Sequence, residues 1–538
     1  MADTPPALRK KSRLKAGLRR IGRVLLCGVP ISPDSIEHAL EKASPANTSI
    51  EKYTDTITPA TSCTSDAPSL TMVRAPLKKR SESRTSLQKM MNSARPIEQL
   101  PPEIMAEIFA MAVLSEAVPP TSSRRMTPLK VGKVCSRWRG IAWSTAHIWS
   151  SVYLRLSRRR YQAQAALLKA WLDRSGRYSL TIHLSLEDEA VWTNAAPQKV
   201  VAILASESRR WYSVNFVLPE ACYPRLEIVK GNLPVLSSFI LQPLLSDCRR
   251  SQANRKRLTA FEDAPELRTA HLNGYYLDDT IIPWGQLRQL TTQHVYLDEC
   301  FYALLRVPHV TYVCFSTILL NDTGRVIVKS PIKLPHLEYL KMHGASGADQ
   351  AILLAEMTLP CLSELHLSSR DTSRVLSSIP ALLTRSGCLL KKFTLSSCQL
   401  VEDELVECLS GMPSIEELKL APLPTGPPLS SLLMNTLAGY TMNADQNPDS
   451  YKGAFLPNLQ HLEYEGLASF NGAAVEMMLG YRRRRSGEGP PAIANLKSLR
   501  IITDSDINAN REVKKNLQKM ADEGLVLVIK SLGGTSWL

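Results

Sequence analysis

Apolar residues recur along this chain in two rhythms. From residue 211 onward a short frame repeats: an apolar residue, two others, an apolar residue, one other, then usually an apolar residue. A proline often stands two places before the first. The instances are WYSVNF from Trp211, LSSFIL from Leu236, LRTAHL from Leu267, LRQLTT from Leu287, VTYVCF from Val310, LEYLKM from Leu337, LSELHL from Leu362, LKKFTL from Leu390, IEELKL from Ile415, LQHLEY from Leu459 and LKSLRI from Leu496. Successive starts differ by 25, 31, 20, 23, 27, 25, 28, 25, 44 and 37 residues. Most of these steps fall in or near the 20–29-residue period of leucine-rich repeats. Helix-like pieces lie between the frames, among them DQAILLAEMTL, TSRVLSSIPALLTRSG, EDELVECLSGM and REVKKNLQKMADEG. The spacing predicts an irregular α/β solenoid over residues 160–535, with parallel strands on its concave side and helices outside. One L-x-x-L-x-L match carries little weight, whereas eleven in series favour the solenoid over a generic α/β domain. The two long steps require insertions, which hold PLPTGPPLSSLLMNTLAGYTMNADQNPDSYKG and GYRRRRSGEGPP.

The second rhythm is helical and lies before the repeats. LPPEIMAEIFAMA, Leu100–Ala112, opens with prolines suited to a first helical turn and a glutamate at the positive end of the helix dipole. Its apolar residues, Ile104, Met105, Ile108, Phe109, Met111, Ala112 and Val113, leave almost no polar face, too much for one core. A second helix is predicted over PLKVGKVCSRWRGIAWS, with Val131, Val134, Cys135, Trp138, Ile141 and Ala142 on one side. TAHIWSSV closes a unit of about 60 residues, marginal on its own and expected to be helped by a partner or a neighbouring domain.

Charge and composition change the picture mainly at the N-terminus. The 538 residues carry a net charge of +15. Residues 1–96 hold 17 Lys+Arg against 8 Asp+Glu, a balance of +9. Rich in Ser, Thr, Pro and basic residues, residues 1–95 are expected to be a disordered basic tail. LRKKSRLKAGLRRIGRVLL could form a basic amphipathic helix, and PLKKRSESR could serve as a localisation signal. Such a tail suits nucleic acid, acidic membrane or an import receptor, and equally a plain solvated leader. No apolar run is long enough to span a membrane. Eleven scattered cysteines without a C-x-x-C pair favour reduced, buried thiols over a disulfide framework, and a cytoplasmic or nuclear location.

Motifs for chemistry are missing. The ten histidines form no metal-ligand spacing, and His336, His343 and His366 read as strand neighbours. HGASGAD lacks the lysine ending of a phosphate loop. No G-x-S-x-G elbow occurs. Asp278–Asp279 and Asp298–Glu299 have no paired base. The run Arg482–Arg485 could clamp an acidic group, or it could be a solvated helix end complementing the dipole. No cofactor, metal or catalytic residue is expected.

The order IEQLPPEIMAEIF, then PLKVGKVCSRWRGIAWST, then HIWSSV resembles an F-box, closest to those of fungi, and is bounded at residues 96–155. A leucine-rich solenoid is a common companion in that family. The resemblance implies a non-catalytic substrate receptor of an SCF-type ubiquitin ligase: the F-box docks on an adaptor subunit, a cullin holds the adaptor, and the solenoid captures a target protein. It places adaptor contacts at Leu100, Pro101, Ile104, Ile108, Val134, Cys135 and Trp138; Trp138 could equally be internal core. Ala146 departs from the family's proline, and Met105 and Val131 from its leucines. Variable frame positions Arg268, His271, Glu338, Lys341, Glu364, His366, Lys419 and Glu463 are the candidate target contacts. The competing reading is an adaptor-independent repeat scaffold whose basic tail binds a polyanion or membrane.

Overall fold

The computed structural model describes residues 96–114, 125–187, 197–218, 220–242, 257–274, 277–319, 331–344, 346–439, 455–483, 493–503, 507 and 509–531. The basic tail 1–95, with its amphipathic segment and basic cluster, lies outside them, as do most of the Ser115–Thr127 loop, residues 440–454 and Arg484–Arg485. The chain divides into two compact units, Met1–Phe216 and Val217–Leu538.

The first unit begins with α1 (Pro102–Leu114), which has Glu103 in its first turn. The expected second helix is instead two: α2 (Pro128–Val131) and α3 (Ser136–Ser144). Local chemistry explains the break. Thr127 caps α2 by accepting the Lys130 N–H at 3.2 Å, with Pro128 in its first turn. Gly132 closes α2 against Trp143, whose ring would lie 2.3 Å from any added Cβ. Cys135 is extended, and its Sγ accepts the Trp138 N–H at 3.4 Å to start α3. The interruption turns Val134 outward, 61% exposed, away from the buried face of Val131, Ile141 and Ala142 that it was expected to share.

A 3-10 turn, Ala146–Trp149, leads into β1 (Ser151–Leu156). Then follow α4 (Tyr161–Arg174), β2 (Leu180–Leu186), α5 (Gln198–Ala205) and β3 (Trp211–Val217). The three strands pair in parallel, in sequence order. Parallel pairing thus begins at Ser151, ahead of the expected start at 160. SVYLRL and LTIHLSL bury every second residue, as one-sided strands should, but they lack the longer frame.

The second unit carries the repeats. Its strands are β4 (Ser238–Gln242), β5 (Thr269–Asn273), β6 (Gln289–Tyr296), β7 (Tyr312–Leu319), β9 (Tyr339–His343), β11 (Glu364–Ser368), β12 (Lys392–Ser396), β13 (Glu417–Ala421), β14 (His461–Glu465), β15 (Ser498–Thr503) and β16 (Val526–Ser531). They pair in that order, all parallel. The short β8 (Ile332–Lys333) and β10 (Met357–Thr358) form a separate pair. The helices are α6 (Leu297–Leu304), α7 (Gly347–Glu356), α8 (Ser373–Ser386), α9 (Glu402–Ser410), α10 (Leu432–Leu437), α11 (Gly472–Arg482) and α12 (Arg511–Asp522). A compact helical module is therefore followed by a mixed α/β solenoid of leucine-rich-repeat type, with parallel inner strands and outer helices. Among the described residues between β3 and β6, 3-10 turns (Glu220–Val229, Trp284–Gln286) take the helix's place.

The frame predicts burial position by position. Leu337, Leu340 and Met342 are each 0% exposed, and the same three positions are buried in every other repeat. Even the last position of LRQLTT, where the apolar residue is missing, is buried as Thr292 at 1% exposure. Each repeat strand in this unit starts two residues into the frame, so the first apolar residue lies in the preceding turn. One register position is left-handed in four successive repeats: Gly274 (φ 69°) and Gly344 (φ 78°) just after β5 and β9, and His294 (φ 56°) and Thr317 (φ 59°) within β6 and β7. Glycine reaches this conformation freely, and the β-branched Thr317 is strained there.

Arg482 and Arg483 are not a solvated helix end. Arg482 is 1% exposed. Its guanidinium donates to the carbonyl oxygens of Leu437 at 3.2 Å and Leu456 at 2.9 Å, and also to that of Phe455. Leu437 ends α10, whose orphan carbonyls attract a cation. Burial lowers the Arg482 pKa to about 10. Arg483 reaches the other way, donating to Met520 O at 2.8 Å near the end of α12. Together they tie α11 to both neighbouring helices.

Candidate functional site

Helix α1 has two apolar stripes. Met105, Phe109, Ala110 and Val113 are buried, and Phe109 meets the Trp138 ring at 4.9 Å between centroids. Ile104 (49% exposed), Ile108 (36%) and Met111 (68%) form the other stripe at steps of four and three, facing out. The start of α1 is held to α3 by the Arg137 guanidinium, which donates to the Leu100 carbonyl. Of the seven expected adaptor contacts, Pro101, Ile104, Ile108 and Val134 are exposed, and Leu100, Cys135 and Trp138 are half-buried. Cys135 has a structural task as the α3 cap. Trp138 packs on Phe109, and its Nε1 is buried without a hydrogen-bond acceptor. Met111 and Ile97 (40% exposed) were not singled out as contacts. The helical spacing from Ile104 and Ile108 to Met111 was the available signal.

This surface is fixed from behind by tryptophans. Trp149 lies edge-on to Trp143 at 5.2 Å and to Trp171 of α4 at 4.7 Å. The Trp149 indole donates to Ala142 O and the Trp171 indole donates to Trp149 O, both at 2.8 Å. The Arg174 guanidinium lies 5.3 Å from the Trp149 ring centre, and burial lowers its pKa. On the other side the Arg125 guanidinium stacks at 4.0 Å on Tyr153 of β1. The helical module thus shares its core with the first strand–helix unit, which answers the expected marginal stability of 60 residues.

The expected target contacts sit in the second unit. Strand register aligns His271, Thr291, Cys314, Lys341, His366, Thr394, Lys419, Glu463 and Arg500 in one row across successive strands. Glu364 belongs to the adjacent row, between Tyr339 and Lys392. Arg268 and Glu338 are exposed and precede their strands, so they stand outside both rows. Side chains in the rows alternate with the buried frame and lie on the sheet face opposite it.

Charges along these rows pair with one another. Lys392 lies 3.3 Å from Glu364 and 3.6 Å from Glu417. Glu463 lies 3.0 Å from Lys419 and 3.6 Å from Arg500. Half-exposed pairs of this kind contribute about 0–1 kcal/mol each. Toward β7 the face becomes aromatic: Tyr312 stacks on Tyr339 at 4.3 Å, and Tyr339 meets His366 at 4.8 Å. Burial pushes the Tyr312 and Tyr339 phenols up, and the His271 and His366 imidazoles down, with Glu364 opposing the shift at His366.

Among the described residues no group of three or more His, Cys, Asp or Glu side chains could hold a metal ion. No helix among them is long and apolar enough to cross a membrane. Glu299, one of the paired acids, is buried and caps α6: its carboxylate accepts the Tyr296 N–H at 2.9 Å and the Leu277 N–H at 2.8 Å. HGASGAD is the turn into α7, where the Ser346 side chain accepts the Asp349 N–H at 3.2 Å.

The F-box-like family model matches residues 97–155, so the chain contains an F-box-like domain there. No curated protein matches the chain. Among solved structures, an internalin (inlF) from Listeria monocytogenes is 13% identical, covering 62% of this chain and 77% of its own, at a TM-score of 0.27. The Rad7 and Elc1 complex in yeast is 12% identical, covering 85% and 98%, at a TM-score of 0.32. Neither likeness bears on function.

Proposed function

We propose that this chain is a substrate receptor of an SCF-type ubiquitin ligase. The observation that carries the reading is the open apolar stripe Ile104, Ile108 and Met111 on α1 of an F-box-like domain. Exposed apolar patches on a rigid support mark protein contacts. In this reading Leu100, Pro101, Ile104, Ile108, Val134 and Trp138 meet the adaptor, and the adaptor brings a cullin. The open face of the repeat sheet, with Lys341, His366, Lys419 and Glu463 in one row, holds a target protein. The chain performs no covalent chemistry. It raises the effective concentration of target lysines near the ubiquitin-charged enzyme, and its place of work is the cytoplasm or nucleus.

The test is co-purification of the full-length chain with the SCF adaptor. The wild type is expected to retain the adaptor, and Leu100→Ala with Pro101→Ala to lose it with the circular dichroism unchanged. Failure of the folded wild-type chain to bind the adaptor removes the main support for the proposal.

A further inference from the structure

Cys361 and Cys388 belong to consecutive repeats, in the turns that lead into β11 and β12. Hydrogen bonds between the two segments bracket them. On one side the Leu359 N–H donates to Ser386 Oγ at 2.9 Å. On the other, the Lys391 and Lys392 N–H groups donate to Ser363 O at 2.8 and 2.9 Å. Leu362 and Leu390 hold equivalent buried frame positions, at 1% exposure each. Segments 359–363 and 386–391 therefore run side by side, and Cys388 falls level with Pro360 and Cys361. At ordinary strand spacing such neighbours lie about 4.7–4.9 Å apart, within the ~4.4–6.8 Å between Cα atoms that a disulfide spans. Cys361 is exposed and Cys388 is half-buried, and both are free thiols. The other described cysteines are buried in the core, apart from the half-buried α3 cap Cys135.

We infer that Cys361 and Cys388 are a reversible thiol–disulfide site that cross-links two consecutive repeats when a low-molecular-weight disulfide such as oxidised glutathione is present. Cys361, being exposed, meets the oxidant first. Its thiolate attacks one sulfur of the glutathione disulfide, that S–S bond breaks, and one glutathione leaves as a thiolate. The Cys388 thiolate then attacks Cys361 Sγ in the mixed disulfide, and the second glutathione leaves. Two protein thiols are oxidised, one glutathione disulfide is reduced to two thiols, and the two protons pass to the departing glutathione thiolates. Burial and the nearby Cys361 both push the Cys388 thiol up. A raised pKa leaves less thiolate, so closure of the disulfide by Cys388 is slowed rather than prevented. The site lies on the turn side of β11 and β12, so the cross-link stiffens the very repeats that carry Glu364, His366 and Lys392.

The experiment uses reduced full-length protein incubated with oxidised glutathione, followed by blocking of remaining thiols and peptide mapping without reduction. The expected product joins the Cys361 and Cys388 peptides, makes the protein lighter by two hydrogens, and is reversed by dithiothreitol. In Cys388→Ser the reaction should stop one step earlier, with glutathione retained on Cys361. Three wild-type outcomes overturn the inference: Cys361 keeps glutathione, pairs with a different cysteine, or stays unmodified while glutathione disulfide is in excess. The wild-type map decides the matter even if a variant folds poorly.

Discussion

Helix Pro102–Leu114 and the repeat around Leu337 are both rich in apolar residues, yet they use them differently. In the repeat every apolar frame position is buried; Leu337, Leu340 and Met342 are 0% exposed. In the helix only alternate stripes are buried, and Ile104, Ile108 and Met111 stay open. Burying a large apolar side chain stabilises a fold by roughly 1.5–3 kcal/mol. The repeats collect that stabilisation internally, because each needs its neighbours to cover its own face. The helix leaves part of it uncollected, available to a second protein. Similar hydrophobicity thus serves stability in one region and, in the proposed reading, recognition in the other.

Substitutions can break the contrast from either side. The largest effect is expected at Trp149, which joins the helical module to α4. Trp149→Ala should cost about 3–5 kcal/mol and lower the denaturant midpoint of the first unit, as followed by tryptophan fluorescence. Arg482→Met comes next in the second unit. It removes the guanidinium donor from the carbonyls of Leu437 and Phe455, while Leu456 O keeps the Leu459 N–H at 3.2 Å; the cost is about 1–3 kcal/mol for an orphaned buried group, read as a lower thermal midpoint by calorimetry.

A smaller effect is expected with pH. Burial holds the His183, His271 and His366 imidazoles below their ordinary value of 6.5. The folded chain then binds fewer protons than the unfolded chain between the shifted and ordinary values. Stability is complete above about pH 6.5 and is lost as the pH falls through that window. His271→Asn should flatten part of this slope in urea titrations between pH 7 and about pH 5. The smallest effect on stability belongs to the open stripe. Ile108→Ala should stay within about 0.5 kcal/mol of the wild type, as surface substitutions do, while weakening adaptor binding.

Much of this was legible in the sequence. The frame named its buried residues in every repeat, including the turn residue ahead of each strand, because an apolar side chain at those positions has nowhere else to go. The surplus apolarity of LPPEIMAEIFAMA pointed to a second surface, and Ile104 and Ile108 lie on it. Other features depend on contacts distant in sequence. The requirement for glycine at 132 comes from the Trp143 ring, eleven residues on. The strands SVYLRL and LTIHLSL were missed because a period of two over six or seven residues carries less signal than a recurring frame. Arg482 looked like a solvated charge because its partners, Leu437 and Leu456, are 45 and 26 residues away. The pairing of Lys392 with two glutamates, and the row that excludes Arg268 and Glu338, required strand register.

The most direct test is calorimetric titration of the full-length chain with the SCF adaptor, comparing wild type with Ile104→Glu/Ile108→Glu. Saturable binding by the wild type is predicted, with a loss of about 100-fold or more in the variant, close to 2.8 kcal/mol, and an unchanged thermal midpoint. Equal affinity in the two proteins, or no binding by a folded wild-type chain, would contradict the assignment of the open stripe to an adaptor.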